Sequence, residues 1–174
     1  MREFVFAYGS LAAADGARGR VTDLRGFARR WGVAMDNARD LPRYKHYRRP
    51  DGSRPAVCVA FLDIVRRRGA TVTGVCLPVD GDELAALDVR ERNYVRRDVT
   101  ALVDGAPGRV WAYAGSPSAR ARLRRARARG RAVISAEYLA LVAAGLGAHE
   151  LARLQASLTG EELPVWELVR IDSA

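Results

Sequence analysis

Histidine, cysteine and lysine are scarce in this chain: His46 and His149, Cys58 and Cys76, and the single lysine Lys45. The two histidines have no metal-ligand spacing, which argues against a metal centre. No Cys-x-x-Cys occurs, so neither a zinc ribbon nor a thioredoxin-like redox motif is encoded. Each cysteine sits in an apolar run, 56–60 or 75–77, where a buried free thiol is the common outcome. Long apolar runs are missing too. No 18 consecutive apolar residues occur, which excludes a membrane-spanning helix. The opening residues 1–8 are too short and too polar at their edge for a signal peptide. The expectation is a soluble cytoplasmic protein without a membrane partner.

What is plentiful is arginine. Lysine and arginine together number 29 against 20 acidic residues, a formal net charge of +9. With one lysine and abundant Ala and Gly, this is the balance that drift in a GC-rich genome produces; a strongly basic chain also suits an acidic partner. The 174 residues fit one domain, 1–174, since domains usually run to about 100–200 residues. With 49% hydrophobic and 28% charged residues the chain is not disordered as a whole.

The pattern alternates between strand-like and helical stretches. Residues 3–8 read as a strand stopping at Gly9-Ser10, and 24–35 is mostly apolar, with 31–35 its best strand candidate. Residues 37–55 carry three prolines and read as a long loop. Two β-forming runs follow, 56–65 and 70–79, then a turn and N-cap at 80–82 and a short helix over 83–91. Strands are expected over 94–103 and 109–114, with Trp111 and Tyr113 on one face. Residues 118–131 hold seven arginines in fourteen positions. Ser135 caps a helix over 135–145 with Gly145 at its end, and a second helix is expected over 148–157 with Leu151, Leu154 and Leu158 on one face. The tail 163–171 reads as an edge strand. This order predicts an α+β fold: a small mixed, barrel-like sheet of about six strands with flanking helices.

Three local patterns carry chemistry. The first is Phe6-Ala7-Tyr8-Gly9-Ser10-Leu11, a strand ending in a Gly-Ser turn whose backbone N–H groups can hold a carboxylate or an oxyanion. The second is Leu87-Asp88-Val89-Arg90-Glu91, a carboxylate at the end of a short helix. The third is the helix from Ser135, with Tyr138 in its first turn. Taken singly, each has a plainer reading: an ordinary turn, a surface glutamate paired with Arg90, Arg92 or Arg96, and a core tyrosine.

Together, in this order, the patterns resemble the gamma-glutamylcyclotransferase-like family over about residues 4–150. Tyr8-Gly9-Ser10-Leu11 is similar to the family's loop after the first strand, and Leu87-Asp88-x-x-Glu91 to the region of its catalytic glutamate. Ser135-x-x-Tyr138 followed by Gly145 resembles its late helix, and residues 24–31 its second strand. The loop 36–55 and the arginine run 118–131 match nothing in the family pattern. The resemblance implies a cytoplasmic, cofactor-independent enzyme, a monomer or homodimer, that cyclises a gamma-glutamyl group to 5-oxoproline and frees an amine, amino acid or peptide. It makes Glu91 the general acid/base, with Tyr8, Gly9, Ser10 and Leu11 cradling the substrate and Tyr113 and Tyr138 lining the pocket. Glu91 works near neutral pH only if burial raises its pKa and Arg90, Arg92 and Arg96 point away. Two other readings stay open: a nucleic-acid binder using segment 119–131, which lacks aromatics for base stacking, and a non-catalytic ligand-binding member of the same fold.

Overall fold

The computed structural model describes residues 2–145 and 163–172. Its elements follow in the order β1 (Glu3–Ala7), α1 (Ser10–Asp15), β2 (Arg20–Asp36), β3 (His46–Arg48), β4 (Cys58–Val79), α2 (Gly81–Arg90), β5 (Tyr94–Asp98), β6 (Arg109–Gly115), α3 (Pro117–Ala128), β7 (Ala132–Ser135), α4 (136–145), β8 (Val165–Trp166) and β9 (Val169–Ile171). The helix expected over 148–157 lies outside the described residues. No helix among the described residues is long and apolar enough to cross a membrane.

The fold is α+β around one mixed sheet. Among the described residues that sheet has seven strands, close to the expected six, in the order β5-β6-β1-β4-β7-β8, with β2 branching from β4. Among the described residues its path ends at β5 and β8 and does not close into a barrel. A two-stranded ribbon, β3 with β9, stands apart from it. The runs 56–65 and 70–79 are a single strand. β4 is continuous because β2 accompanies it antiparallel for nearly its whole length. The pairing jumps from Phe27–Arg66 to Arg25–Thr71, and the extra residues of β4 bulge there, where Gly69 takes a φ of +76°.

The core lies on the faces of β1, β2, β4 and β6. Phe6, Leu24, Leu62, Ile64, Val72 and Val110 are all buried. Each such side chain contributes about 1.5–3 kcal/mol. Cys58 and Cys76 are buried free thiols within it.

The arginine run is a helix, α3. Ser116 caps it by accepting from the Ala119 amide at 3.2 Å, and Pro117 opens it. Ala119, Leu123 and Ala126 fall on one face and are buried. Two of the arginines also turn inward. Arg120 reaches the buried carboxylate of Asp63 at 2.8 and 3.1 Å, and Arg122 donates to the Ala34 carbonyl at 2.7 Å. Arg124, Arg125, Arg129 and Arg131 are exposed. Asp63 also accepts from the Gly115 amide at 2.7 Å. A Cβ on Gly32 or Gly115 would come within 2.8 Å or less of Asp63, so the buried carboxylate occupies the space those glycines leave.

The segment 37–55, read as a loop, contains β3 and is clasped by Asn37. This fully buried side chain donates to the carbonyls of Tyr47 (2.9 Å) and Pro55 (3.0 Å) and accepts from the Tyr47 amide (2.7 Å). Three satisfied hydrogen bonds offset the desolvation of the amide. They also fix the approach to β3, and with it Tyr44 and Lys45.

Candidate active site

β1 and β6 run parallel, with Val5 opposite Trp111, so their carboxyl ends lie side by side. There β1 gives way to the 8–11 loop and the start of α1. Tyr8 is buried and its hydroxyl donates to the Tyr113 carbonyl at 2.5 Å. Burial raises the Tyr8 pKa well above its ordinary value, so the phenol stays neutral. Gly9 needs no left-handed backbone. A Cβ there would sit 3.5 Å from the Tyr138 hydroxyl and 3.6 Å from Leu62 Cδ1, ordinary contact distances.

α2 delivers Glu91. Asp80 and Glu83 form a reciprocal capping box at its start. At its end Glu91 is the C-cap, its amide donating to Leu87 at 2.8 Å and its carbonyl accepting from Tyr94 at 2.9 Å. The backbone thus holds Glu91 on both sides, and β5 begins three residues later. Tyr94 donates to the Leu62 carbonyl at 2.7 Å, which ties that turn to β4.

These elements converge. A small recess is lined by Tyr8, Gly9, Ser10, Leu11, Glu91, Tyr94, Tyr113 and Tyr138, so the structure brings every site residue expected from the sequence to one place. It opens into a cleft of 370 Å³ that shares Ser10, Leu11, Glu91, Tyr94 and Tyr138. That volume is within the usual range for small-ligand sites, about 300–1,000 Å³. Tyr138 stands edge-on to Phe61 (4.9 Å between centroids) and Trp31 (5.9 Å), and the Leu62 amide donates to its hydroxyl at 3.4 Å. Ser135 accepts from the Tyr138 amide at 3.4 Å, the expected cap of α4. Gly145, expected as a C-cap, is helical; a Cβ there would lie 2.9 Å from the Ala13 amide nitrogen, so its smallness lets α4 pack on α1. Trp111 and Tyr113 join one apolar cluster, as alternation predicts. The Tyr113 hydroxyl is committed to Asp88 at 2.8 Å.

One expectation fails. Arg90 does not point away from Glu91: its guanidinium lies 3.0–3.1 Å from Oε1. The two are sequence neighbours at a helix end, and the half-exposed arginine folds back over the cap. Arg92 lies over the Tyr44 ring at 5.3 Å, and Arg96 pairs with Asp88 at 2.9 Å.

The cleft also has an outer rim that sequence reasoning missed. Among the described residues, Arg43, Lys45, Arg90, Arg92 and Arg170 line it against two carboxylates, Glu91 and Asp172. Lys45 is half-buried, with its ammonium 4.3 Å from the Phe61 ring centroid and 5.9 Å from that of Tyr44. Burial lowers its pKa to about 8; Arg170 adds to the shift and Glu91 opposes it. The available signal was its status as the single lysine among arginines, next to two tyrosines.

The chain matches the family described as gamma-glutamyl cyclotransferase, AIG2-like, over residues 5–137. No curated protein matches it by sequence. Among solved structures it is similar to YkqA from Bacillus subtilis, at 15% identity and a TM-score of 0.57, over 94% of this chain and 56% of that one. It thus spans little more than half of that protein's length. It is also similar to the human protein loc79017 (17% identity, TM-score 0.52, 92% and 88% of the two chains). A structure described as gamma-glutamyl cyclotransferase matches at 18% identity and a TM-score of 0.52, over 94% and 89%. At such identities the likeness is one of fold.

Proposed function

Because the chain belongs to the AIG2-like gamma-glutamyl cyclotransferase family, we propose that it cyclises a gamma-glutamyl amide to 5-oxoproline and frees an amine, amino acid or peptide. The observation that supports this is the meeting of Glu91 with the 8–11 loop in one recess.

In this reading nucleophile and electrophile belong to one molecule, so the site's task is to hold the glutamyl chain in a near-attack ring geometry. The tyrosine-walled recess confines it. Glu91 takes a proton from the substrate's α-ammonium, and the freed amine attacks the γ-carbonyl carbon. The oxyanion that develops is held by backbone N–H groups of the 8–11 loop, the first of which have no acceptor inside α1. As the carbon–nitrogen bond to the leaving group breaks, Glu91 returns its proton to the departing nitrogen. A second proton follows the same route, from the ring nitrogen to the leaving amine. The products are the lactam and an ammonium, and the proton count closes. Arg90 must release Oε1 for this cycle; the substrate's own α-carboxylate offers it another partner. The tyrosines beside Glu91 do not compete as acids, because burial raises the pKa of Tyr8, Tyr94 and Tyr138.

The test is release of 5-oxoproline from a panel of glutathione, gamma-glutamyl dipeptides and gamma-glutamyl amines. Release from any member supports the reading. Silence across the whole panel from a folded protein contradicts it.

A further inference from the structure

The geometry points to Lys45 as the residue that selects the leaving group: it holds a carboxylate there, so that gamma-glutamyl amino acids or peptides are preferred over gamma-glutamyl amines. This rests on the cyclotransferase reading of the cleft.

Lys45 stands where the departing half of such a substrate would lie. Glu91 and the 8–11 loop claim the reacting end, in the recess. The leaving group must then extend into the larger cleft, whose rim carries Lys45. The contacts trace that path: the Tyr138 ring at the recess packs on Phe61, and the Lys45 ammonium lies 4.3 Å from the centroid of that same Phe61 ring.

Two neighbouring cations on the rim are already paired with carboxylates, and Arg92 lies over the Tyr44 ring. Arg90 pairs with Glu91, and Arg170 pairs with Asp172 at 2.6–2.8 Å. Among the described residues, Lys45 has no carboxylate within 4.0 Å of its ammonium. An aromatic cradle compensates a half-buried ammonium only in part. An incoming carboxylate would supply the missing partner as a charge-assisted hydrogen bond. The position is also prepared rather than loose, since the Asn37 clasp on Tyr47 and the β3–β9 pairing hold the backbone directly after it.

The experiment compares gamma-glutamylglycine with gamma-glutamylmethylamide, which differ by the leaving-group carboxylate and share the α-carboxylate. Calorimetric binding and the KM for 5-oxoproline formation are measured for the wild type, Lys45→Met and Lys45→Arg. The wild type should favour the glycine compound by about ten- to a hundredfold, the range for a hydrogen bond to a charged group. Lys45→Met should bring that ratio close to one through KM rather than kcat, and Lys45→Arg should restore much of it. A ratio near one in the wild type overturns the proposal. So does a loss in Lys45→Met that is equal for both compounds, which would place Lys45 on the α-carboxylate, or binding of neither compound. If neither compound is turned over, the cyclotransferase reading is decided by the full panel above, and the binding ratio still decides the role of Lys45.

Discussion

The inner recess and the outer rim of the cleft are built in different ways. The recess is made of strand ends and a helix cap, held by backbone hydrogen bonds and by the parallel pairing of β1 and β6. The side of the rim that carries Lys45 and Arg170 is made of a side-chain clasp at Asn37 and a ribbon of two three-residue strands. The first arrangement is part of the core and cannot change without disturbing it. The second lies outside the main sheet and can differ without cost to the sheet. In the proposed reaction, bond-making chemistry thus falls on the rigid part, and selection of the leaving group on the adaptable part.

Removing the recess's carboxylate should give the largest effect. Glu91→Gln should slow 5-oxoproline formation by about 10²–10⁴-fold, the usual contribution of a positioned acid/base. Its melting temperature should stay close to that of the wild type, because Glu91 caps α2 through its backbone; initial rates and a thermal melt check both. The scaffold under the recess is next. Asp63→Ala leaves Arg120 and the Gly115 amide without their buried partner and should cost about 3–5 kcal/mol in urea unfolding.

The rim should respond more mildly. Asn37→Ala removes three buried hydrogen bonds and should cost about 1–3 kcal/mol, the penalty for leaving buried polar groups unsatisfied. Its KM for carboxylate-bearing substrates should rise while Glu91 chemistry persists. The rim should also be the pH-sensitive part. Lys45, lowered to about 8 by burial, is charged below that pH and loses its charge as pH rises through it. Around it stand Tyr44, Arg90, Glu91, Arg170 and Asp172. Tyr44, pushed up to about 12 by burial, stays neutral in this window. Affinity for gamma-glutamylglycine should therefore be full below pH 8 and fall above it, with that for the methylamide flat across the same range. The smallest effect belongs to the outer face of α3. Arg124→Ala/Arg125→Ala should shift stability by no more than about 0.5 kcal/mol and leave RNA affinity at background; a clear loss of RNA affinity would revive the polyanion-binding reading.

The same contrast explains what was legible in the sequence. Tyr8-Gly9-Ser10-Leu11 and Leu87-Asp88-x-x-Glu91 are contiguous patterns at element ends, so the recess could be read before its parts were seen together. The Ser135 cap and the N-cap at 80–82 were legible for the same reason. β4 was divided in two because its Arg- and Gly-containing middle looks like a turn, and only the long partner β2 carries the strand through. The run 118–131 concealed a helix because arginine obscured the spacing of Ala119, Leu123 and Ala126. The rim was illegible because Lys45 and Arg170 are far apart in the chain and meet only through the β3–β9 ribbon. The fold of Arg90 back onto Glu91 is a rotamer choice, which residue spacing does not encode.

The account rests on Glu91 and the 8–11 loop acting on one carbonyl. A crystal structure of the chain with bound 5-oxoproline tests this most directly. The account predicts the lactam nitrogen about 2.6–3.2 Å from the Glu91 carboxylate, with the lactam oxygen facing the backbone N–H groups of residues 8–11. A product bound in the cleft with Glu91 still held by Arg90, and with its carbonyl turned away from that loop, would contradict it.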